Sequence, residues 1–219
     1  MSTVAVVGGH GQVARHLLPA LRSAGHQPVA LVRREEHRTE LEDEGFRVRM
    51  LDIEAADAAG FAEVFEGCDA VVFAAGGGAD GNIDRKKSVD LEGSLKSIEG
   101  ARKAGVTRFL QVSAIGVDQP LPEDTAPVWK AYVEAKRDSD AALRESGLDW
   151  TILRPGRLTD DPATDRVTLA PDAERGDITR ADVAATLVAL LDEPASVGHQ
   201  LVLVEGEHSV ADAVAAAVS

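Results

Sequence analysis

The chain has 219 residues, 44% of them hydrophobic and 27% charged, the profile of an ordinary globular protein with room for one α/β domain. Its 37 acidic residues outnumber its 23 Lys and Arg, giving a net charge of −14. That balance argues against a nucleic-acid or anionic-membrane binder, both of which need basic surface.

No apolar run approaches the ~20 residues of a bilayer span, and the N-terminus lacks the basic-then-apolar pattern of a secretory leader. The lone cysteine, Cys68, has no partner for an internal disulfide. A cytoplasmic protein is expected. The six histidines are scattered, so no dedicated metal site is expected.

Strand and helix signals alternate along the chain. Thr3–Val7 is a β-branched run. Residues 12–24 place Val13, Leu17, Leu18 and Leu21 on one helical face and stop at Gly25. Strands are expected over 28–32 and 47–53, a helix over 58–66, and an apolar strand over 69–75 of the kind buried on both faces. A glycine-rich loop over 76–84 precedes a helix over 87–104, a strand over 108–113 and a loop over 114–126. A long helix over 128–146 leads to a strand over 150–154. Residues 155–177, rich in Pro, Asp and Gly, read as a loop or lid. A helix over 179–191, a strand over 200–204 and a helix over 210–218 complete the chain.

This alternation predicts a Rossmann-type, doubly wound α/β fold. It is one domain over residues 1–219, with a mostly parallel sheet and helices on both faces. Ligands on such sheets sit at the carboxyl ends of the strands, near the switch in strand order.

Val7-Gly8-Gly9-His10-Gly11-Gln12-Val13-Ala14 follows the first strand and opens a helix. Glycines there allow a tight turn and a close backbone approach to a pyrophosphate, and the helix N-terminus offers free N–H groups to it. At the position where NAD-preferring sites carry an acidic residue for the ribose stand Arg33 and Arg34. Guanidiniums suit a 2′-phosphate, so NADP(H) is expected over NAD(H); the alternative is two solvated arginines paired with Glu35 and Glu36. Asp52 suits either an adenine amino group or a turn. Ala74-Ala75-Gly76 lets backbone lie along a cofactor. His10 is either a phosphate contact or a surface turn residue.

Together these motifs resemble the atypical short-chain dehydrogenase/reductases, in particular their small NAD(P)-binding, epimerase-like group. The similarity runs on through Val89-Asp90, Arg108-Phe109-Leu110-Gln111-Val112-Ser113-Ala114, Tyr132-x-x-x-Lys136, Trp150 to Gly156, and Ile178-Thr179-Arg180-Ala181-Asp182-Val183-Ala184. The cofactor-lining residues expected are Gly8, Gly9, His10, Gly11, Gln12, Val13, Arg33, Arg34, Asp52, Ile53, Ala74, Ala75, Gly76, Val112, Lys136 and Pro155. The resemblance implies that Asp90 stands where the family carries Asn.

Tyr132 is the only tyrosine, and a lysine four residues on shares its helix face. Hydride transfer to a carbonyl leaves an oxyanion that needs a proton. A free phenol titrates near ~10, and an ammonium at ~4 Å favours tyrosinate by about 4 kcal/mol at an effective dielectric of ~20, enough to bring it near 7. Ser113 is expected to orient the substrate oxygen. The candidate catalytic set is therefore Ser113, Tyr132, Lys136 and Asp90. The alternative is structural: Tyr132 in the core, Lys136 paired with Asp140, Ser113 capping a strand.

Two readings follow. One is an NADP(H)-dependent reductase of a small carbonyl- or quinone-like substrate. The other is an NADP(H)-binding sensor without turnover. An epimerase/dehydratase-like enzyme is a further alternative, disfavoured for sugar nucleotides by the short substrate segment. A monomer or homodimer is expected.

Overall fold

The computed structural model describes residues 1–78 and 81–219. β1 (Thr3–Val7), α1 (Gln12–Ser23), β2 (Gln27–Val32), α2 (Glu35–Asp43), β3 (Arg47–Met50), α3 (Ala58–Phe65) and β4 (Ala70–Phe73) form the first half. The expected loop over 76–84 includes Ala79 and Asp80, which lie outside the described residues. A single turn, α4 (Ile83–Arg85), runs through a π-helical stretch, Lys86–Gly93, into α5 (Ser94–Ala104). β5 (Arg108–Val112), α6 (Pro127–Arg144) and β6 (Asp149–Pro155) follow. β7 (Arg157–Thr159), β8 (Arg166–Ala170), β9 (Asp177–Thr179), α7 (Arg180–Asp192), β10 (His199–Glu205), β11 (His208–Ser209) and α8 (Val210–Ala217) complete it.

Nine strands form one sheet in the order β11-β8-β10-β6-β5-β4-β1-β2-β3. From β3 to β10 the pairings are parallel. The order reverses at β1, which pairs with β2 on one side and β4 on the other. Val7 stands level with Leu31 and with Phe73. The turns after these three strands therefore open on one edge, the crevice that doubly wound sheets use for ligands.

The faces are covered by separate apolar layers. Leu17, Leu18, Leu187 and Val214 of α1, α7 and α8 pack on one, and Phe61, Phe65, Ile98 and Leu143 of α3, α5 and α6 on the other. Phe61, Phe65, Leu17, Leu18 and Leu143 are fully buried. Where α3 crosses α5, a Cβ on Gly100 would come within 2.4 Å of Phe61 Cβ, so only glycine permits that approach.

The expected alternation holds, with three corrections. α2 lies in a stretch read as connection. Only Leu41 of it is buried, so it has no apolar period to detect. Residues 155–177 are not only a loop: β8 joins the sheet antiparallel to β10, burying Val167 and Leu169 on alternate positions, and β7 pairs with β9. The helix expected over 87–104 begins at Ile83 and is π-helical over its first half. Among the described residues no helix is long and apolar enough to cross a membrane.

Candidate active site

The glycine turn is shaped by what surrounds it. Gly8 has φ 80°, and a Cβ there would lie 2.8 Å from the Cα of Ala75. Gly9 packs as closely on Ala30 and donates its N–H to the Leu31 carbonyl at 2.9 Å. Gly8 and Gly9 thus lock β1 against the turns after β2 and β4. Gly11 N donates to the Gly8 carbonyl at 2.8 Å and begins α1, which has no side-chain cap and no acidic residue in its first turn. That end of the helix is left for an anion. Gln12 is exposed, while Val13 packs into the core and offers only its backbone.

A groove of about 230 Å³ runs from this turn past Leu31, Leu51 and Ile53 on one side and Ala74, Ala75 and Gly76 on the other. Asp52 Oδ1 accepts from the N–H groups of Glu54 at 3.0 Å and Ala55 at 3.4 Å, the turn role. His10, Arg33 and His37 line the far end. The two imidazoles stack at 3.6 Å, and His10 Nε2 meets Glu40 at 2.8 Å. Burial, then His10 and Arg34, hold His37 below the ordinary histidine pKa.

The two arginines differ. Arg33 pairs with Glu54 at 3.1 Å, not with Glu35 or Glu36. Arg34, at the N-cap position of α2, forms no ion pair among the described residues.

At the other end of the groove Asp90, on the π-helical stretch, accepts the Gly77 N–H at 2.8 Å through Oδ2. Its Oδ1 lies 3.3 Å from Lys136 Nζ without hydrogen-bond geometry. Lys136 also donates to the Val112 carbonyl at 3.0 Å. Burial works against this ammonium, but Asp90 foremost, with Tyr132 and Asp140, keeps its pKa above the ordinary lysine value. Lys136 is therefore paired with Asp90 and not with Asp140.

Tyr132 is part-buried on the same helix, 5.2 Å from the Trp129 ring, with Lys86 Nζ 5.8 Å above it. Burial pushes its phenol above the usual pKa. Lys136 opposes the shift and Asp90 and Asp140 add to it. The lowering expected from Lys136 is present, but burial outweighs it, so the phenol stays above its ordinary value instead of falling toward neutrality.

Ser113 Oγ donates to Asp140 Oδ2 at 2.7 Å. The same carboxylate, completely buried, accepts Gln111 Nε2 at 2.7 Å and Arg154 Nε and Nη2 at 3.0 and 2.8 Å. Ser113 has one proton and donates it in this bond, so its hydroxyl has only lone pairs left to offer. Arg154 reaches on to Asp118 at 2.5 Å, and that contact holds the Asp118 carboxyl below its ordinary pKa. Pro155 is buried beyond Arg154, its carbonyl accepting the Ile115 N–H at 2.9 Å.

A turn that tolerates no Cβ, a bare helix N-terminus and a buried carboxylate oxygen without a hydrogen bond among the described residues fit a dinucleotide stretched across the sheet edge. The family model described as NAD(P)H-binding matches residues 8–194. The chain belongs to this NAD(P)H-binding family.

It is 37% identical to the uncharacterized sugar epimerase YhfK of Bacillus subtilis, over 96% of this chain and 98% of that one. A Bacillus halodurans protein whose name places it with the NAD-dependent epimerases/dehydratases superposes with TM-score 0.91 at 37% identity, covering 99% and 100% of the two chains. ChuY of Escherichia coli O157:H7, named an anaerobilin reductase, superposes with TM-score 0.77 at 26% identity, covering 94% and 98%. The epimerase-like group of atypical short-chain dehydrogenase/reductases is thus the right home for the chain.

Of the expected cofactor residues, Gly8, His10, Gly11, Arg33, Asp52, Ile53, Ala74, Ala75 and Gly76 line the groove. Gly9 packs behind it on Ala30, Val13 is buried in the core, and Val112 contributes a carbonyl to Lys136, while Gln12, Arg34 and Pro155 are not among its lining residues. Sequence reasoning passed over His37, weighed Asp140 only as a partner of Lys136, and read Arg154 only as part of a motif. His37 lies on the undetected α2. Asp140 sits eight residues after Tyr132 on α6, a spacing that signals a shared helix face but not a buried ion pair.

Proposed function

We propose that the chain is an NADP(H)-dependent reductase of a small carbonyl- or quinone-like compound. The observation that carries this reading is the continuity of groove and catalytic set: Gly76 lines the groove, Gly77 binds Asp90, and Asp90 holds Lys136 one helical turn from Tyr132. The glycine turn and α1 would hold the pyrophosphate, Ile53 and Asp52 the adenine, Arg34 the 2′-phosphate, and Lys136 with Asp90 the ribose beside the nicotinamide. Bound there, the cofactor supplies a hydride.

Tyr132 keeps its proton at neutral pH, because burial disfavours the phenolate. It is therefore suited to give that proton to a substrate oxygen as negative charge develops. Lys136, fixed by Asp90 and the Val112 carbonyl, carries the positive charge that the phenolate left behind requires. The reductase named among the structural relatives supports this chemistry. The sensor reading draws on one observation, the commitment of the Ser113 proton to Asp140.

The test is NADPH consumption against carbonyls, quinones and flavins. Turnover supports the reductase. Tight NADPH binding with no consumption supports the sensor. Conversion of a sugar substrate with no net consumption identifies an epimerase, which returns the hydride it takes.

A further inference from the structure

A cavity of about 500 Å³ lies between the loop after β5 and the loop after β8, bordered by Trp129, whose ring is 5.2 Å from that of Tyr132. This is within the size range of small-molecule sites. Its walls are mostly apolar: Pro120, Leu121, Pro122, Ala126 and Trp129. Trp129 is 47% exposed, unusual for so large an apolar ring, and its exposed surface borders this space.

One cation, Arg175, looks into the cavity and into the polar space adjoining it. It is exposed, it touches Gln119 Oε1 at 3.4 Å, and it forms no ion pair among the described residues. Yet carboxylates are at hand: Asp118, Asp124, Asp172 and Glu174 line the same two spaces. Asp118 is taken by Arg154.

The backbone around this guanidinium is constrained. Gly116 has φ 76°, a conformation that favours glycine, and Arg175 Nη2 lies 2.5 Å from where a Cβ on it would stand. The next residue, Gly176, accepts the Arg157 N–H at 2.9 Å and packs so closely on Gly156 that a Cβ at 156 would collide with its carbonyl at 2.1 Å. The loop is pinned immediately after Arg175.

We infer that this cavity takes the substrate, and that Arg175 selects a flat apolar carbonyl compound bearing a carboxylate or phosphate. The apolar part stacks along Trp129, and the anion meets the guanidinium, which binds planar oxyanions bidentately. In a chain of net charge −14 an anionic substrate needs such a local cation. The inference rests on the reductase reading for the word substrate, but its test does not depend on turnover.

Protein saturated with oxidised cofactor, which cannot reduce an aldehyde, is titrated calorimetrically with para-carboxybenzaldehyde and with para-methylbenzaldehyde. The carboxylate is expected to bind at least about tenfold tighter, Arg175→Gln to erase that preference, and Trp129→Ala to weaken both ligands alike. Equal affinities, no binding of either compound, or a preference that survives Arg175→Gln would overturn the inference. If the preference holds and NADPH is consumed with none of the carbonyls, quinones and flavins, the ligand site stands and the reductase reading fails. Where the aldehydes are turned over, loss of Arg175 raises KM for the carboxylated one and leaves that for the methyl compound unchanged.

Discussion

Arg33 and Arg34 are adjacent and chemically identical, but Arg33 lines the groove and Arg34 does not. Glu54 already neutralises Arg33, whereas Arg34 has no acidic partner among the described residues. Arg34→Ala is therefore expected to weaken NADPH binding by about 10- to 100-fold and to leave NADH binding nearly unchanged, the value of a charged hydrogen bond to phosphate. Arg33→Ala should cost several-fold less. Direct titration of both cofactors checks this, and equal effects of the two variants would refute the division of roles. Tyr132 supplies a pH prediction. Its pKa is raised, and reduction uses the protonated form, so the rate holds at neutral pH and falls only as the phenol ionises. No falling limb due to Tyr132 is expected below about pH 10. A limb near neutrality that vanishes in Tyr132→Phe would contradict it. That Tyr132 and Lys136 share one helix was legible from their spacing. The Asp90 and Asp140 contacts that set their protonation were not, because partners 46 and 27 residues apart, Asp90 with Lys136 and Ser113 with Asp140, meet only once the sheet is assembled.

At the scale of elements, Asp182 shows how one buried side chain fixes a junction. It accepts Thr179 Oγ1 at 2.9 Å, Thr164 N and Oγ1 at 3.0 and 2.9 Å, and Asp165 N at 3.0 Å. Thr179 caps α7 in return by accepting Asp182 N at 3.0 Å. The start of α7 is thereby tied to the turn before β8, where Asp165 holds the left-handed conformation at φ 54°. Asp182→Ala leaves buried donors unpaired and should cost about 1–3 kcal/mol, several degrees of Tm, in thermal unfolding. An unchanged Tm would show the junction to be redundant. The Thr179-Arg180-Ala181-Asp182 run was readable as a motif, but its work is structural. α2 and β8 were missed for opposite reasons: α2 buries almost nothing, and β8 is a short alternating run hidden among Pro, Asp and Gly.

Across the whole molecule, parallel strands bring three turns to the reversal at β1, and β5, next to β4, carries the Val112 carbonyl that holds Lys136. The alternation of strand and helix was enough to anticipate the parallel sheet and the edge that matters. The antiparallel β8–β10 pairing lay outside it, because the pattern of a strand does not carry its direction. The central claim is that Tyr132 acts as an acid on a bound substrate in a site whose cofactor groove stands without it. The most direct measurement is NADPH oxidation with an accepted carbonyl substrate by the native protein and by Tyr132→Phe, with NADPH affinity determined on the same samples. The account predicts a loss of about 10²- to 10⁴-fold in turnover with affinity retained. Undiminished turnover in Tyr132→Phe would contradict it.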